Sequence, residues 1–229
     1  MIVDAVIPAL NEEAALPGVL AAVVPRPELR RVVVADNGST DGTWRAIQAG
    51  GAVPVWAGLR GYGSACLAAL AALAKDPPDV VVFLDADGAD DPADLPALLE
   101  PIALGRADLV IGSRVRGPHE PGALTPVQVF GNALSCVLIH GLFGVRFTDL
   151  GPFRAVRWEA LQALEMADRN FGWTVEMQAK AARRGLRCAE VPVTYRRRAA
   201  GQSKVSGTVR GSAKAGAKIL WTIGREWVR

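Results

Sequence analysis

Along the first half of the chain, short runs of Val, Ile and Leu alternate with stretches of helical period. Residues 2–8, 31–36, 53–56, 80–84 and 108–112 are nearly continuous in aliphatic side chains, and residues 12–24, 42–50, 64–75 and 93–104 between them read as helices. Strands apolar on both faces belong to covered parallel sheets, and repeated strand–helix units build such a sheet with helices on each side. The pattern then changes. Residues 114–123 form a Pro/Gly-rich loop, 124–142 a long apolar helix, and 146–156 an irregular or strand-like segment. Helical stretches at 157–164 and 174–184, a strand at 186–195, a basic Gly-containing loop at 196–206 and a last helix complete the chain. The expected fold is α/β, a mostly parallel sheet flanked by helices, with residues 1–206 as the main domain and 207–229 as a C-terminal amphipathic helix.

The 229 residues suffice for one substantial core. Half of the residues are hydrophobic, yet no uninterrupted apolar run reaches the roughly 18–20 residues of a membrane span. A soluble or surface-bound protein is therefore expected. The chain enters a strand pattern at once, without a basic region, apolar segment and cleavage site. That favours a cytoplasmic location, with the inner face of the plasma membrane as the peripheral alternative. Cys66, Cys136 and Cys188 are scattered and lack metal-type spacing, so they read as core thiols. The net charge of +3 is modest, but basic residues crowd into 183–229, which points to an anionic partner at that end.

Chemistry enters with Asp85-Ala86-Asp87, directly after the apolar run 80–84 and ahead of Gly88-Ala89-Asp90-Asp91. Positions i and i+2 at a strand end point the same way, toward the crevice where open α/β sheets bind ligands. Two carboxylates there suit Mg²⁺ or Mn²⁺, and Mg²⁺ is usually shared with substrate phosphates. Strand-end Asp residues also cap helices, so context must decide. After the second strand, Asp36-Asn37-Gly38-Ser39-Thr40-Asp41-Gly42-Thr43 has the composition of a turn and helix cap. Asp36 could also bond a nucleobase, and Glu12, at the first strand end, ribose hydroxyls.

Other classes are poorly served. The first strand–helix junction, Pro8-Ala9-Leu10-Asn11-Glu12-Glu13, has no glycine, and Gly61-Tyr62-Gly63 is an incomplete dinucleotide fingerprint best read as a tight turn, either near a ligand or away from one. No Gly-Lys-Ser/Thr phosphate loop occurs. The basic cluster Arg196-Arg197-Arg198 has few aromatics near it and no recognition motif, so nucleic acid is not expected. His119 and His140 lack ligand spacing.

These segments, with Val110-Ile111-Gly112-Ser113-Arg114, Thr148-Asp149-Leu150-Gly151-Pro152-Phe153-Arg154 and Arg198-Ala199-Ala200-Gly201-Gln202-Ser203-Lys204, resemble in order and spacing glycosyltransferase family 2, with its Rossmann-like GT-A fold. Within that family they are most similar to the dolichyl-phosphate mannosyltransferases and polyprenyl-phosphate glycosyltransferases. The resemblance implies that Pro8, Leu10, Glu12 and Asp36 line the nucleoside pocket, and that Asp85, Ala86 and Asp87 meet ribose, metal and diphosphate. Asp85 and Asp87 are the implied metal ligands, Asp87 first. Arg114 would approach the donor sugar or phosphate. Arg198 and Lys204, with Gln202 and Ser203 between them, would hold the diphosphate or the acceptor phosphate. Leu10 stands where Tyr is frequent, Asn37 where a second Asp is frequent, and Gly88-Ala89 where Leu-Gln is common. These departures leave base and sugar open.

The resemblance further implies metal-dependent, inverting transfer from a UDP- or GDP-sugar to a polyprenyl or dolichyl phosphate. Transfer to a soluble or lipid hydroxyl is the alternative; a nucleotidyltransferase or a non-catalytic nucleotide-sugar-binding protein is the alternative of another class. A hydroxyl acceptor needs a general base, for which Asp149 or Glu176 is the candidate; a phosphate acceptor does not, and Asp149 would then orient sugar hydroxyls or Arg154. In the last helix Lys214, Lys218, Arg225 and Arg229 alternate with Leu220, Trp221 and Trp227. Such a helix either lies on an anionic membrane or packs on the domain or in a homodimer.

Overall fold

The structure, a computed structural model, describes the backbone of residues 1–200 and 209–228 and the side chains of 1–200 and 215–228. In chain order the elements are β1 (Val3–Ala9), α1 (Leu16–Val23), β2 (Arg31–Asp36), α2 (Thr43–Ala49), β3 (Val53–Trp56), α3 (Tyr62–Leu73), β4 (Val80–Phe83), α4 (Leu95–Ala103) and β5 (Leu109–Ser113). They continue with α5 (Pro126–Phe143), β6 (Arg154–Arg157), α6 (Trp158–Leu164), α7 (Trp173–Arg183), β7 (Cys188–Pro192) and α8 (Val209–Val228).

The strands form one seven-stranded sheet in the order β3-β2-β1-β4-β6-β5-β7. All neighbours are parallel except around β6, which runs antiparallel to both β4 and β5. This one reversal positions the site. Parallel strands bring the residues that follow them to the binding edge, whereas an antiparallel strand brings the residues that precede it. The segment 149–153 thereby arrives beside the ends of β4 and β5. Of the strand-like stretch 146–156, only its last residues enter the sheet, with Arg154 opposite Phe83 and Val156 opposite Val81.

The two sheet faces bury separate apolar layers. One combines Val6, Phe83 and Ile111 with α3, α5, α6 and α7, and Trp173 meets Phe83 edge-on at 6.0 Å. The other combines Ile7, Val34 and Val82 with Leu16, Leu20 and Leu98 from α1 and α4. Val80, Val81, Val82 and Phe83 are all buried, as expected of a strand covered on both faces.

α5 starts with a capping box between Thr125 and Gln128 and stops at Gly144 in the left-handed region (φ 74°). Gln128, Asn132 and His140 interrupt its apolar run, yet its mean hydropathy of 1.4 over 18 residues makes it long and apolar enough to cross a membrane, and only 17% of that stretch is buried. The three polar side chains break the run, which is why the sequence predicts no span there.

α8 packs against α7 and α5. Its Ile223 joins the core, Lys218 Nζ lies 2.7 Å from Asp168 Oδ2, and Arg225 Nη2 lies 3.0 Å from Glu176 Oε1. Of the alternatives the sequence leaves for this helix, Lys218 and Arg225 follow packing on the domain: both are turned toward it, with the Trp221 ring beneath both. The cause is burial: Asp168 and Glu176 are carboxylates withdrawn from water, and α8 brings the cations that offset them. The Lys214 side chain and Arg229 lie outside the described residues.

Candidate active site

A cavity of about 890 Å³ opens over the C-terminal ends of β1 and β4. Its floor includes Pro8, Leu10, Glu12, Asp85, Ala86 and Asp87, and its flanks Arg114, Tyr195 and Arg198. Asp85 accepts a hydrogen bond from Tyr62 Oη at 3.0 Å. The Asp85 amide donates to Asp90 Oδ2 at 3.1 Å, and Asp87 Oδ1 accepts from the Ala89 amide at 2.9 Å. Burial, and then the neighbouring Asp87, push the Asp85 carboxyl up to about 7. Burial and then Asp85 push Asp90 well up from the usual range, and its Oδ1 is buried without a hydrogen-bond partner among the described residues. So much carboxylate in one place calls for positive charge, and hard oxygen donors of this kind fit Mg²⁺ or Mn²⁺. Among the described residues no three acidic, His or Cys side chains are already gathered as a complete ligand set.

Part of the positive charge is Arg198. Its Nη1 donates to Glu12 at 2.8 and 3.0 Å, and its Nη2 lies 3.0 Å from Asp87 Oδ2. The backbone makes this reach possible, because the amides of Arg196 and Ala199 donate to the carbonyls of Ala89 and Asp87. The chain after β7 is thus laid along the acidic turn after β4. Gln202, Ser203 and Lys204 lie outside the described residues.

Arg114 enters from the end of β5. Its amide and Nε donate to Asp149 Oδ2 at 2.7 and 2.8 Å, and its Nη2 to Asp149 Oδ1 at 2.7 Å. The guanidinium stacks on the Tyr195 ring, 5.0 Å from its centre. Asp149 is wholly buried and gives both oxygens to Arg114. Glu190 on β7 fixes this loop by accepting from the amides of Thr148 and Asp149 at 2.8 and 3.1 Å. Arg154, one of the two partners expected for Asp149, is held instead by the carbonyls of Leu150, Gly151 and Thr174, and burial lowers it to about 10. Glu176, the other base candidate, sits under α8, bonded to Lys180, Arg225 and the amides of Ala167 and Asp168.

Asp36 is buried behind the cavity wall, with Oδ1 on the Ser39 amide and Oδ2 without a partner among the described residues. Its neighbour Asn37 lines the cavity, donating to Leu59 O at 2.7 Å and accepting from the Gly61 amide at 2.6 Å. The side-chain helix cap expected in this segment is not made: the N-cap of α2 is Gly42, and Asp41 before it accepts from the Thr43 amide at 3.0 Å in a turn. The sequence assigns no role to Asn37, Tyr62, Asp90 or Tyr195, although Asn37 stands where a second Asp is frequent, Tyr62 lies in the turn 61–63 and Asp90 in the acidic stretch after Asp87; Tyr195 carries no signal. The tight turn read at 61–63 has a tertiary cause. A Cβ on Gly61 would stand 2.0 Å from Arg169 O, and one on Gly63 1.9 Å from Asp168 O, so the turn is small because residues 168–169 cross it.

Comparisons with known proteins agree with this geometry. The family model described as glycosyl transferase family 2 matches residues 4–164. An uncharacterized glycosyltransferase of Mycobacterium tuberculosis is 41% identical over 92% of each chain. The undecaprenyl-phosphate mannosyltransferase of Micrococcus luteus is 34% identical over 97% of this chain and 94% of its own. Among solved structures, glucosyl-3-phosphoglycerate synthase of M. tuberculosis, in complex with Mn²⁺, UDP-glucose and phosphoglyceric acid, superposes with a TM-score of 0.75 at 26% identity, over 97% of this chain and 80% of that one. With the fold, the strand-end carboxylates and the match over most of the chain in agreement, the protein belongs to glycosyltransferase family 2 and is a hexosyltransferase of the GT-A fold.

Proposed function

We propose that the protein transfers a hexose, with inversion, from a UDP- or GDP-sugar to a polyprenyl phosphate. The observation that carries the choice of acceptor is the state of the two base candidates: Asp149 is committed to Arg114, and Glu176 is held beneath α8. A hydroxyl acceptor would need one of them as base, whereas a phosphate oxygen is already anionic. The relative that acts on undecaprenyl phosphate supports this reading.

Glu12 and Asn37, which line the cavity, would meet the nucleoside, and Asp36 would support the wall behind them. Asp85 and Asp87 would hold Mg²⁺ or Mn²⁺, with the rest of its shell from the donor diphosphate. When bound, the metal supplies Lewis-acid stabilisation of charge on the leaving diphosphate. Arg114, fixed by Asp149, presents a preorganised cation at the sugar or phosphate, and Arg198 exchanges Glu12 and Asp87 for the diphosphate or acceptor phosphate. Lys204, Gln202 and Ser203 belong to the same loop and would act with it. An acceptor phosphate oxygen forms the new bond to the anomeric carbon from the face opposite the diphosphate, which leaves with the electrons of the broken bond.

A second reading has one specific support, the solved relative that binds phosphoglyceric acid, a soluble phosphorylated acceptor. The test is nucleotide release from a panel of UDP- and GDP-hexoses with Mn²⁺ or Mg²⁺, with polyprenyl phosphate, with 3-phosphoglycerate, and with neither. Turnover that responds to 3-phosphoglycerate alone overturns the lipid reading.

A further inference from the structure

Arg198 and Arg114, the two arginines at the flanks of the cavity, are held in different ways. Arg198 gives its guanidinium to the carboxylates of Glu12 and Asp87, contacts that an incoming anion must displace. Arg114 gives two of its five side-chain N–H bonds to Asp149, and its guanidinium lies over the Tyr195 ring, 5.0 Å from the ring centre. A carboxylate paired through both oxygens fixes a guanidinium within their common plane but leaves it free to tilt out of that plane. An aromatic face against the guanidinium stops the tilt. It does so without accepting an N–H bond, so the hydrogens that Asp149 does not take are left for a ligand.

The backbone beneath the ring has little freedom. The Tyr195 amide donates to the Pro118 carbonyl at 2.9 Å, and the Tyr195 carbonyl accepts from the Glu120 amide at 2.9 Å. Tyr195 also bridges to Asp90, so it is pinned between the acidic turn after β4 and the loop after β5. It lines the cavity and is only 9% exposed. The loop that begins at Arg114 is pressed against the same stretch of chain, since a Cβ on Gly117 would stand 2.1 Å from Val193 O. Glu190, five residues before Tyr195, accepts from the amides of Thr148 and Asp149. Residues 190–195 thus fix Arg114 twice, within its plane through Asp149 and across its plane through Tyr195.

We propose that Tyr195 is a positioning residue for the transfer: its ring holds the Arg114 guanidinium at the angle at which it meets charge on the donor sugar or phosphate. This rests on the reading of Arg114 under the proposed function and is independent of which acceptor is used. A cation already oriented needs no rearrangement as charge develops on the leaving diphosphate, and that is the advantage a fixed tilt confers. The ring face matters here, and the hydroxyl does not.

The test uses the full chain with Mn²⁺ and whichever of polyprenyl phosphate and 3-phosphoglycerate supports turnover. Tyr195→Phe should keep kcat within about twofold, whereas Tyr195→Leu should lower it about tenfold or more, with a smaller loss of affinity for UDP and GDP in calorimetry. Since Leu also changes the packing, the ring itself is then tuned. Replacing Tyr195 by phenylalanines that carry one, two and three fluorines keeps the shape and the melting temperature close to those of Tyr195→Phe while draining the negative ring face, so kcat should fall with each fluorine. A kcat indifferent to fluorine, with Arg114→Lys impaired, overturns the role of Tyr195 and leaves the reading of Arg114 standing. Full turnover by Arg114→Lys overturns both. Tyr195→Phe as damaged as Tyr195→Leu overturns the proposal too, because the hydroxyl would then be the working group. If neither acceptor supports turnover, the acceptor reading fails, and the same series is followed by calorimetric binding of UDP- and GDP-hexoses, where an affinity indifferent to fluorine overturns the role of Tyr195 and a stepwise loss supports it.

Discussion

Arg198 Nη2 stands 3.0 Å from Asp87 Oδ2, so a residue from the loop after β7 neutralises a carboxylate from the turn after β4. The two are far apart in sequence and meet because Ala199 donates its amide to the Asp87 carbonyl. A cation in this place must release the acidic turn when a diphosphate binds. Arg198→Ala should therefore lower turnover about a hundredfold or more, as loss of a charge-stabilising donor does, with a smaller loss of nucleotide affinity. Steady-state kinetics set beside calorimetric titration of UDP and GDP measure the two effects. Equal losses would make Arg198 a binding residue only.

Asp87→Ala removes the carboxylate at the end of a strand rather than a core side chain. Metal-dependent nucleotide binding and transfer should vanish while the far-UV circular dichroism and melting curve stay close to wild type. In the wild type, a chelator should abolish transfer, and Mn²⁺ or Mg²⁺ should restore it. Full transfer by the variant would remove Asp87 from the metal site.

Asp149→Asn removes the negative charge of a buried pair and leaves Arg114 uncompensated beside Tyr195. Breaking such a pair costs about 3–5 kcal/mol. For a chain of this size that lowers the melting temperature on the order of 10 °C. Glu190→Gln, one step further from Arg114, should act in the same direction and more weakly. A variant Asp149→Asn that melts like wild type but loses one limb of the pH–rate profile would return Asp149 to the role of general base.

Lys218 offsets Asp168, and the segment 168–169 crosses the turn at Gly61 and Gly63 that positions Tyr62 against Asp85. Lys218→Ala should cost about 1–3 kcal/mol, the price of a buried polar group left short of a partner. It should also raise the donor KM more than it changes kcat, since the damage reaches the cavity only through that turn. Gly63→Ala should do the same more severely, because its Cβ would fall 1.9 Å from Asp168 O. Urea denaturation and donor-saturation curves test both. An unchanged donor KM in a destabilised Lys218→Ala would confine α8 to holding the fold together.

The order of strands and helices, the parallel majority of the sheet and the acidic strand ends at Glu12 and Asp85 to Asp87 were legible in the sequence, because they depend on local period and on which residues follow an apolar run. The chain pattern around Arg114, Asp149 and Arg198 was also legible as a set. What each of those residues does to the others was not. Asp149 serves Arg114 because antiparallel β6 carries its preceding loop to the end of β5, and a reversal of strand direction leaves no mark on hydrophobic period. Asn37 rather than Asp36 faces the cavity because alternate residues at a strand end point to opposite sides, and the register against β1 decides which. Lys218 and Arg225 point inward because buried Asp168 and Glu176 lie on the neighbouring segments, whereas the α8 sequence by itself shows only cations interleaved with tryptophans. Periodicity tells which residues share a side; only the packing of one element on another tells what that side meets.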